Sequence, residues 1–116
     1  MKKIYFLSSC DTCKRIITEL GLKEKGFVFQ DIKTEKITPA QLDEMCKMSG
    51  SYESLFSRVA LKYKSLGLSA MKLNETDYRK YILEEYTFLK RPVIIVGKQI
   101  FVGNSKKSIE MLVLRL

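Results

Sequence analysis

The sequence predicts an α/β fold with a mixed four-stranded sheet, ordered strand–helix–strand, helical insertion, then strand–strand–helix. Three observations predict it. Two short apolar runs, residues 3–8 and 27–32, flank an amphipathic helical stretch, which is the pattern of a βαβ unit with parallel strands and a right-handed crossover. The middle, about 38–88, reads as helical and shows no strand pattern. After Arg91-Pro92 the β-branched run Val93-Ile94-Ile95-Val96 is followed by a Gly97-Lys98 turn and a returning strand, Gln99–Val102.

The elements follow in order. Residues 3–8 read as a buried strand, short, apolar and aromatic. The helix that starts near Cys10 sets Ile16, Ile17 and Leu20 on one face and stops around Gly21, a residue suited to a C-cap. Thr38 is placed to cap a helix whose first residue is Pro39 and whose stripe is Leu42, Met45 and Cys46, ending at Ser49-Gly50. Tyr52, Leu55 and Phe56 suggest a short helix, and Leu61, Tyr63, Leu66 and Leu68 continue a helical region interrupted by Gly67. A helix over about 75–86, capped by Asn74 or Thr76, turns Tyr78, Ile82 and Leu83 inward, and a last helix bears Ile109, Leu112 and Val113. With 116 residues and no linker or repeat, the expectation is one domain over residues 1–116 with the helical insertion inside it.

Composition excludes several functions. The chain has no histidine, which removes Ser-His-Asp and Cys-His catalysis and histidine-ligated metal sites. A zinc reading of the early cysteine pair lacks ligands, because Cys46 is the one remaining cysteine and lies on a helix stripe. The net charge of +8 is spread over nearly every segment, so it reads as a solvated surface that attracts small anions, with no direct nucleic-acid binding expected. No apolar run reaches the roughly 20 residues that span a bilayer. Met1–Leu7 lacks the apolar core and cleavage site of a secretion signal, so a cytoplasmic location away from membranes is expected.

The chemistry gathers at Cys10-Asp11-Thr12-Cys13-Lys14-Arg15, where a strand passes into a helix. A thiol there faces unsatisfied backbone N–H groups and the positive end of the helix dipole, which favour the thiolate. Cys10 is therefore the candidate nucleophile, and Cys13, one turn on, is the candidate resolving thiol that can close a disulfide with it. Arg91 offers the planar donors suited to an oxyanion or carboxylate.

The element order is that of thioredoxin-like folds. Four landmarks make the chain resemble the arsenate reductase (ArsC) family, the group that includes the Spx regulators: Cys10-Asp11-Thr12-Cys13-Lys14, the segment Phe56–Leu68 ending Tyr63-Lys64-Ser65-Leu66-Gly67-Leu68, Lys90-Arg91-Pro92 before a hairpin, and Val102-Gly103 before the last helix. The resemblance implies that Cys10 is the family's reactive cysteine, which in arsenate reductases attacks arsenic, with glutathione and glutaredoxin completing the reduction. It implies a cis bond before Pro92, close to that cysteine, and an anion site to which Arg91, Arg58, Thr12, Lys14 and Pro92 contribute. Cys13 departs from the glutathione-coupled reductases and resembles Spx. The family's arginine after the hairpin has no counterpart, since the chain reads Asn104-Ser105-Lys106-Lys107 there, and lysines supply charge without a guanidinium's geometry.

Two functions are implied. One is an arsenate reductase-like thiol–disulfide oxidoreductase with no tightly bound cofactor. Its substrate would be a small oxyanion or a glutathione-linked disulfide, with glutathione as co-substrate and glutaredoxin or thioredoxin as reductant. The alternative is an Spx-like redox switch that binds RNA polymerase without catalysis.

Overall fold

The computed structural model describes residues 1–116, which form two compact units, Met1–Lys36 with Arg91–Leu116, and Ile37–Lys90. The first unit holds the sheet. Its strands are β1 (Lys2–Phe6), β2 (Val28–Asp31), β3 (Val93–Val96) and β4 (Gln99–Val102), and its helices are α1 (Asp11–Glu19) and the C-terminal helix Lys106–Val113. The order is β2-β1-β3-β4, with β1 parallel to β2 and antiparallel to β3, and β3 antiparallel to β4. The sheet is thus mixed and four-stranded, as the sequence predicts.

Register sets the core of this unit. Ile4 of β1 lies opposite Ile94 of β3, which lies opposite Phe101 of β4, so one apolar row crosses three strands. Ile16 and Ile17 of α1 and Leu112 of the last helix pack on this row, with Leu22 and Phe27 closing its side. Each such side chain, fully buried, contributes about 1.5–3 kcal/mol. β1 stops at Phe6 rather than continuing to residue 8, because Leu7–Cys10 form a turn in which the Cys10 N–H donates to the Leu7 carbonyl at 2.9 Å. α1 gives way at Leu20, and Gly21 takes the left-handed conformation (φ 62°) that a side chain would disfavour.

The second unit is helical: α2 (Pro39–Ser49), α3 (Leu61–Ser65) and α4 (Glu75–Glu84), joined by single 3₁₀ turns. α2 begins with a reciprocal capping box, the Gln41 N–H donating to Thr38 Oγ1 at 3.0 Å and the Thr38 N–H to Gln41 Oε1 at 3.1 Å. α4 has the same device, the Asp77 N–H donating to Asn74 Oδ1 at 2.9 Å and the Asn74 N–H to Asp77 Oδ2 at 3.0 Å, which settles the cap as Asn74. An aromatic cluster fills the middle, with Phe56 4.9 Å from Tyr78 and 5.0 Å from Phe88, ring centre to centre.

Here the local structure departs from the helical reading of 61–68. α3 has five residues, Gly67 is left-handed (φ 66°), and a separate 3₁₀ turn, Leu68–Ala70, follows. Leu68 is buried and Tyr63 packs edge-on to Phe56, whereas Leu61 is 89% exposed, so the segment is not amphipathic along its length. The helix over 75–86 ends earlier, at Glu84, and Tyr86–Phe88 form a 3₁₀ turn that buries Phe88. No helix is long and apolar enough to cross a membrane.

Candidate functional site

Cys10 is the N-cap residue of α1, with extended backbone (φ −92°, ψ 110°), and its carbonyl accepts the Lys14 N–H at 3.1 Å. Its side chain is half-buried, while Cys13, one turn along on the buried side of α1 with Ile16 and Ile17, is fully buried. Both thiols are free. Cys13 thus packs inward and also lies within reach of the Cys10 sulfur, with which it interacts.

The two thiols are electrostatically unlike. Burial pushes Cys10 up, but the Cys13 backbone N–H, the Cys13 thiol and the Arg91 guanidinium outweigh it, and the net displacement is below the ordinary thiol value. These donors act on the sulfur although it makes no regular cap hydrogen bond to the helix. Cys13 goes the other way. Burial, reinforced by the neighbouring Cys10 sulfur, pushes it up to about 12 despite lowering contributions from the Leu7 backbone and Arg91. The pair thus gives up its first proton from Cys10 and holds the second on Cys13.

Arg91, which opens the second segment of the first unit just before β3, also acts on this pair. The Arg91–Pro92 peptide bond is cis, as the resemblance implies. Pro92 is buried, and its carbonyl accepts the Gly103 N–H at 2.9 Å, which ties the start of β3 to the end of β4. Thr12 and Lys14 lie in the first turns of α1, Thr12 half-buried and Lys14 exposed. Arg58 belongs to the second unit, where it pairs with Glu53 at 2.7 Å, donates to the Tyr78 hydroxyl at 3.0 Å and lies over the Tyr78 ring. Cys46, also in the second unit, is half-buried at the edge of a stripe whose other members, Leu42 and Met45, are fully buried. Burial and the Glu75 charge raise its pKa, so it lacks the thiolate character of Cys10.

One residue of this region escaped the sequence reading. Asp31, the last residue of β2, accepts the Ser8 N–H at 3.3 Å and the Lys33 N–H at 3.2 Å. The signal that could have found it is the parallel pairing of β1 and β2, which places the end of one beside the end of the other.

A mixed sheet carrying a cysteine pair where its first strand enters a helix, with a cis-proline before the third strand, defines a protein of the thioredoxin-like class. The chain belongs to the ArsC family, whose model matches residues 5–112. It is 24% identical over 110 residues to the global transcriptional regulator Spx 2 of Lactococcus lactis subsp. lactis (strain IL1403), covering 94% of this chain and 83% of that protein. With the Spx 2 of Bacillus anthracis it shares 21% over 111 residues, covering 94% and 84%. Among solved structures, the arsenate reductase of Vibrio cholerae superposes with a TM-score of 0.79 at 14% identity, covering 99% of this chain and 97% of that one. An ArsC family related protein of Bacteroides fragilis gives 0.79 at 20% identity, covering 96% and 97%. These structural likenesses establish the fold.

Proposed function

We propose that this chain is a thiol–disulfide oxidoreductase in which Cys10 attacks and Cys13 resolves. The observation that carries the reading is the asymmetry of the pair: a half-exposed thiol held below its ordinary pKa beside a fully buried one pushed up to about 12. With a glutathione-linked disulfide, the Cys10 thiolate attacks one sulfur, the S–S bond breaks, and the other sulfur leaves as a thiolate that takes up a proton. Consuming the Cys10 charge removes one of the influences that hold the proton on Cys13. Cys13 then attacks the Cys10 sulfur, expels the second thiol and leaves a Cys10–Cys13 disulfide. The chain loses two electrons and the substrate disulfide gains them; a glutaredoxin, a thioredoxin or glutathione returns them.

Arsenate fits the same scheme. The Cys10 sulfur replaces one arsenate oxygen, which departs as water, and a second thiol, from Cys13 or glutathione, attacks that sulfur. Arsenic(V) becomes arsenic(III) as the two thiols become a disulfide. Arg91, with Lys14 and Thr12 in the first turns of α1, supplies donors for the oxyanion. Turnover assays on arsenate and on a glutathione mixed disulfide test the proposal. Cys10→Ser should abolish both, and turnover that survives it would remove the mechanism. Cys13→Ser should stop the internal-disulfide cycle while leaving arsenate reduction supported by added glutathione and glutaredoxin.

A second reading is favoured by the curated relatives, which are global transcriptional regulators. In it, the same disulfide is a switch that governs binding to RNA polymerase, with no turnover. Purified RNA polymerase captured by this chain in only one redox state, with no reductase activity, would support that reading. Equal capture in both states, or none, would count against it.

A further inference from the structure

The turn that presents Cys10 depends on one peptide unit. Its carbonyl, that of Leu7, accepts the Cys10 N–H at 2.9 Å and so fixes the backbone from which the nucleophile's side chain departs. Its N–H, that of Ser8, donates to Asp31 Oδ1 at 3.3 Å. The two ends of a trans peptide point in opposite directions, so a carboxylate that holds the N–H end also aims the carbonyl end. Asp31 is itself well fixed. It ends β2 opposite Phe6, the last residue of β1, and Phe6 accepts the Ile32 N–H at 2.9 Å. The same Oδ1 takes the Lys33 N–H at 3.2 Å, and the Asp31 carbonyl takes the Glu35 N–H at 2.8 Å. The Leu7 backbone also acts on the Cys13 thiol, so this turn touches both cysteines.

We propose that Asp31 is a positioning residue for the cysteine pair: through the Leu7–Ser8 peptide it sets the place of Cys10 at the start of α1. The inference rests on the redox reading above and assigns to it a residue that never touches the substrate. What Asp31 supplies is an acceptor in the right place, and its charge strengthens the bond to the Ser8 N–H. Without it the peptide is held at its carbonyl end alone, the acceptor of the Cys10 N–H is less firmly aimed, and the sulfur drifts from the donors that favour its thiolate.

The test is the pH profile of Cys10 alkylation by iodoacetamide, resolved from Cys13 and Cys46 by peptide mass spectrometry, with thermal melting measured on the same samples. Asp31→Ala is expected to move the profile to higher pH and to slow alkylation at mildly acidic pH about two- to tenfold, the effect of one lost hydrogen bond. Asp31→Asn keeps Oδ1 as an acceptor and is expected to restore the wild-type profile, even if both variants melt earlier. An Asp31→Ala profile that superposes on a depressed wild-type one overturns this proposal alone, as does an Asp31→Asn profile displaced as far as that of Asp31→Ala. A wild-type Cys10 that titrates like a free cysteine overturns the redox reading and this proposal with it. Should Asp31→Ala not fold, the wild-type protein decides by NMR: the Ser8 amide proton should follow the ionisation of Asp31, and a Ser8 amide that stays constant through it overturns the proposal.

Discussion

At Arg91 the site's electrostatics become testable one side chain at a time. Its guanidinium is one of the groups that hold Cys10 below the ordinary thiol value, together with the Cys13 N–H and thiol acting against burial. Arg91→Ala should therefore raise the Cys10 pKa and slow its alkylation at neutral pH roughly threefold to tenfold, with Arg91→Lys recovering the charge but not the planar donor geometry. A rate unchanged in Arg91→Ala would show that the helix terminus alone sustains the thiolate. Cys13 predicts an effect of opposite sign. Its folded pKa is raised to about 12 from 9.0, so between those values the unfolded chain has given up a proton that the folded chain retains. Stability must fall as pH rises through that window. Under reducing conditions the melting temperature should decline more steeply above about pH 9 in the wild type than in Cys13→Ala. Parallel declines would contradict the buried, protonated thiol.

Cys10, Cys13 and Arg91 were legible because each stands in a local pattern: two cysteines at a strand–helix junction and an arginine before a proline. Asp31 was not, because its partner Ser8 is 23 residues away and meets it only through the parallel register of β1 and β2. Arg58 was legible as a cation but not in its engagement with Glu53 and Tyr78, which depends on packing within the second unit.

Among the elements, helix starts were readable, as was the end of α2 at Ser49-Gly50, whereas the lengths of α3 and α4 were not. Thr38-Pro39 announces α2, and Asn74, one of the two caps the sequence offers with Thr76, announces α4, because capping is chemistry between residues three apart. The short reach of α3 was hidden, because Leu61 and Leu68 keep helical spacing although Leu61 is exposed, and the left-handed Gly67 ends the run. Thr38→Ala removes the Oγ1 that accepts the Gln41 N–H and should cost about 1 kcal/mol, read from urea unfolding. No loss of stability in that variant would mean that solvent satisfies the end of α2 equally well.

Over the whole molecule, the sheet-bearing unit brings together residues from both ends of the sequence, with β1 and α1 from the first part and β3 from the last. Ile94, buried opposite both Ile4 and Phe101, is the centre of that arrangement. Ile94→Ala should destabilise by about 2–5 kcal/mol in chemical unfolding. A loss well below that range would mean that the sheet does not depend on this row. The parallel β1–β2 pair and the β3–β4 hairpin followed from the sequence, because short apolar runs and a tight Gly97-Lys98 turn constrain pairing. The helical insertion expected over about 38–88 lies within the second unit, Ile37–Lys90. The antiparallel pairing of β1 with β3, which depends on contacts across that insertion, did not follow.

Whether Cys10 and Cys13 form one working redox pair is decided by equilibrating the wild-type chain in glutathione buffers of stepped potential. The thiols are then trapped at each step and mapped by peptide mass spectrometry. A single two-electron transition should join Cys10 to Cys13 and leave Cys46 a free thiol throughout. Contradiction would come from Cys10 and Cys13 remaining thiols at every potential, or from a disulfide that recruits Cys46 in place of either one.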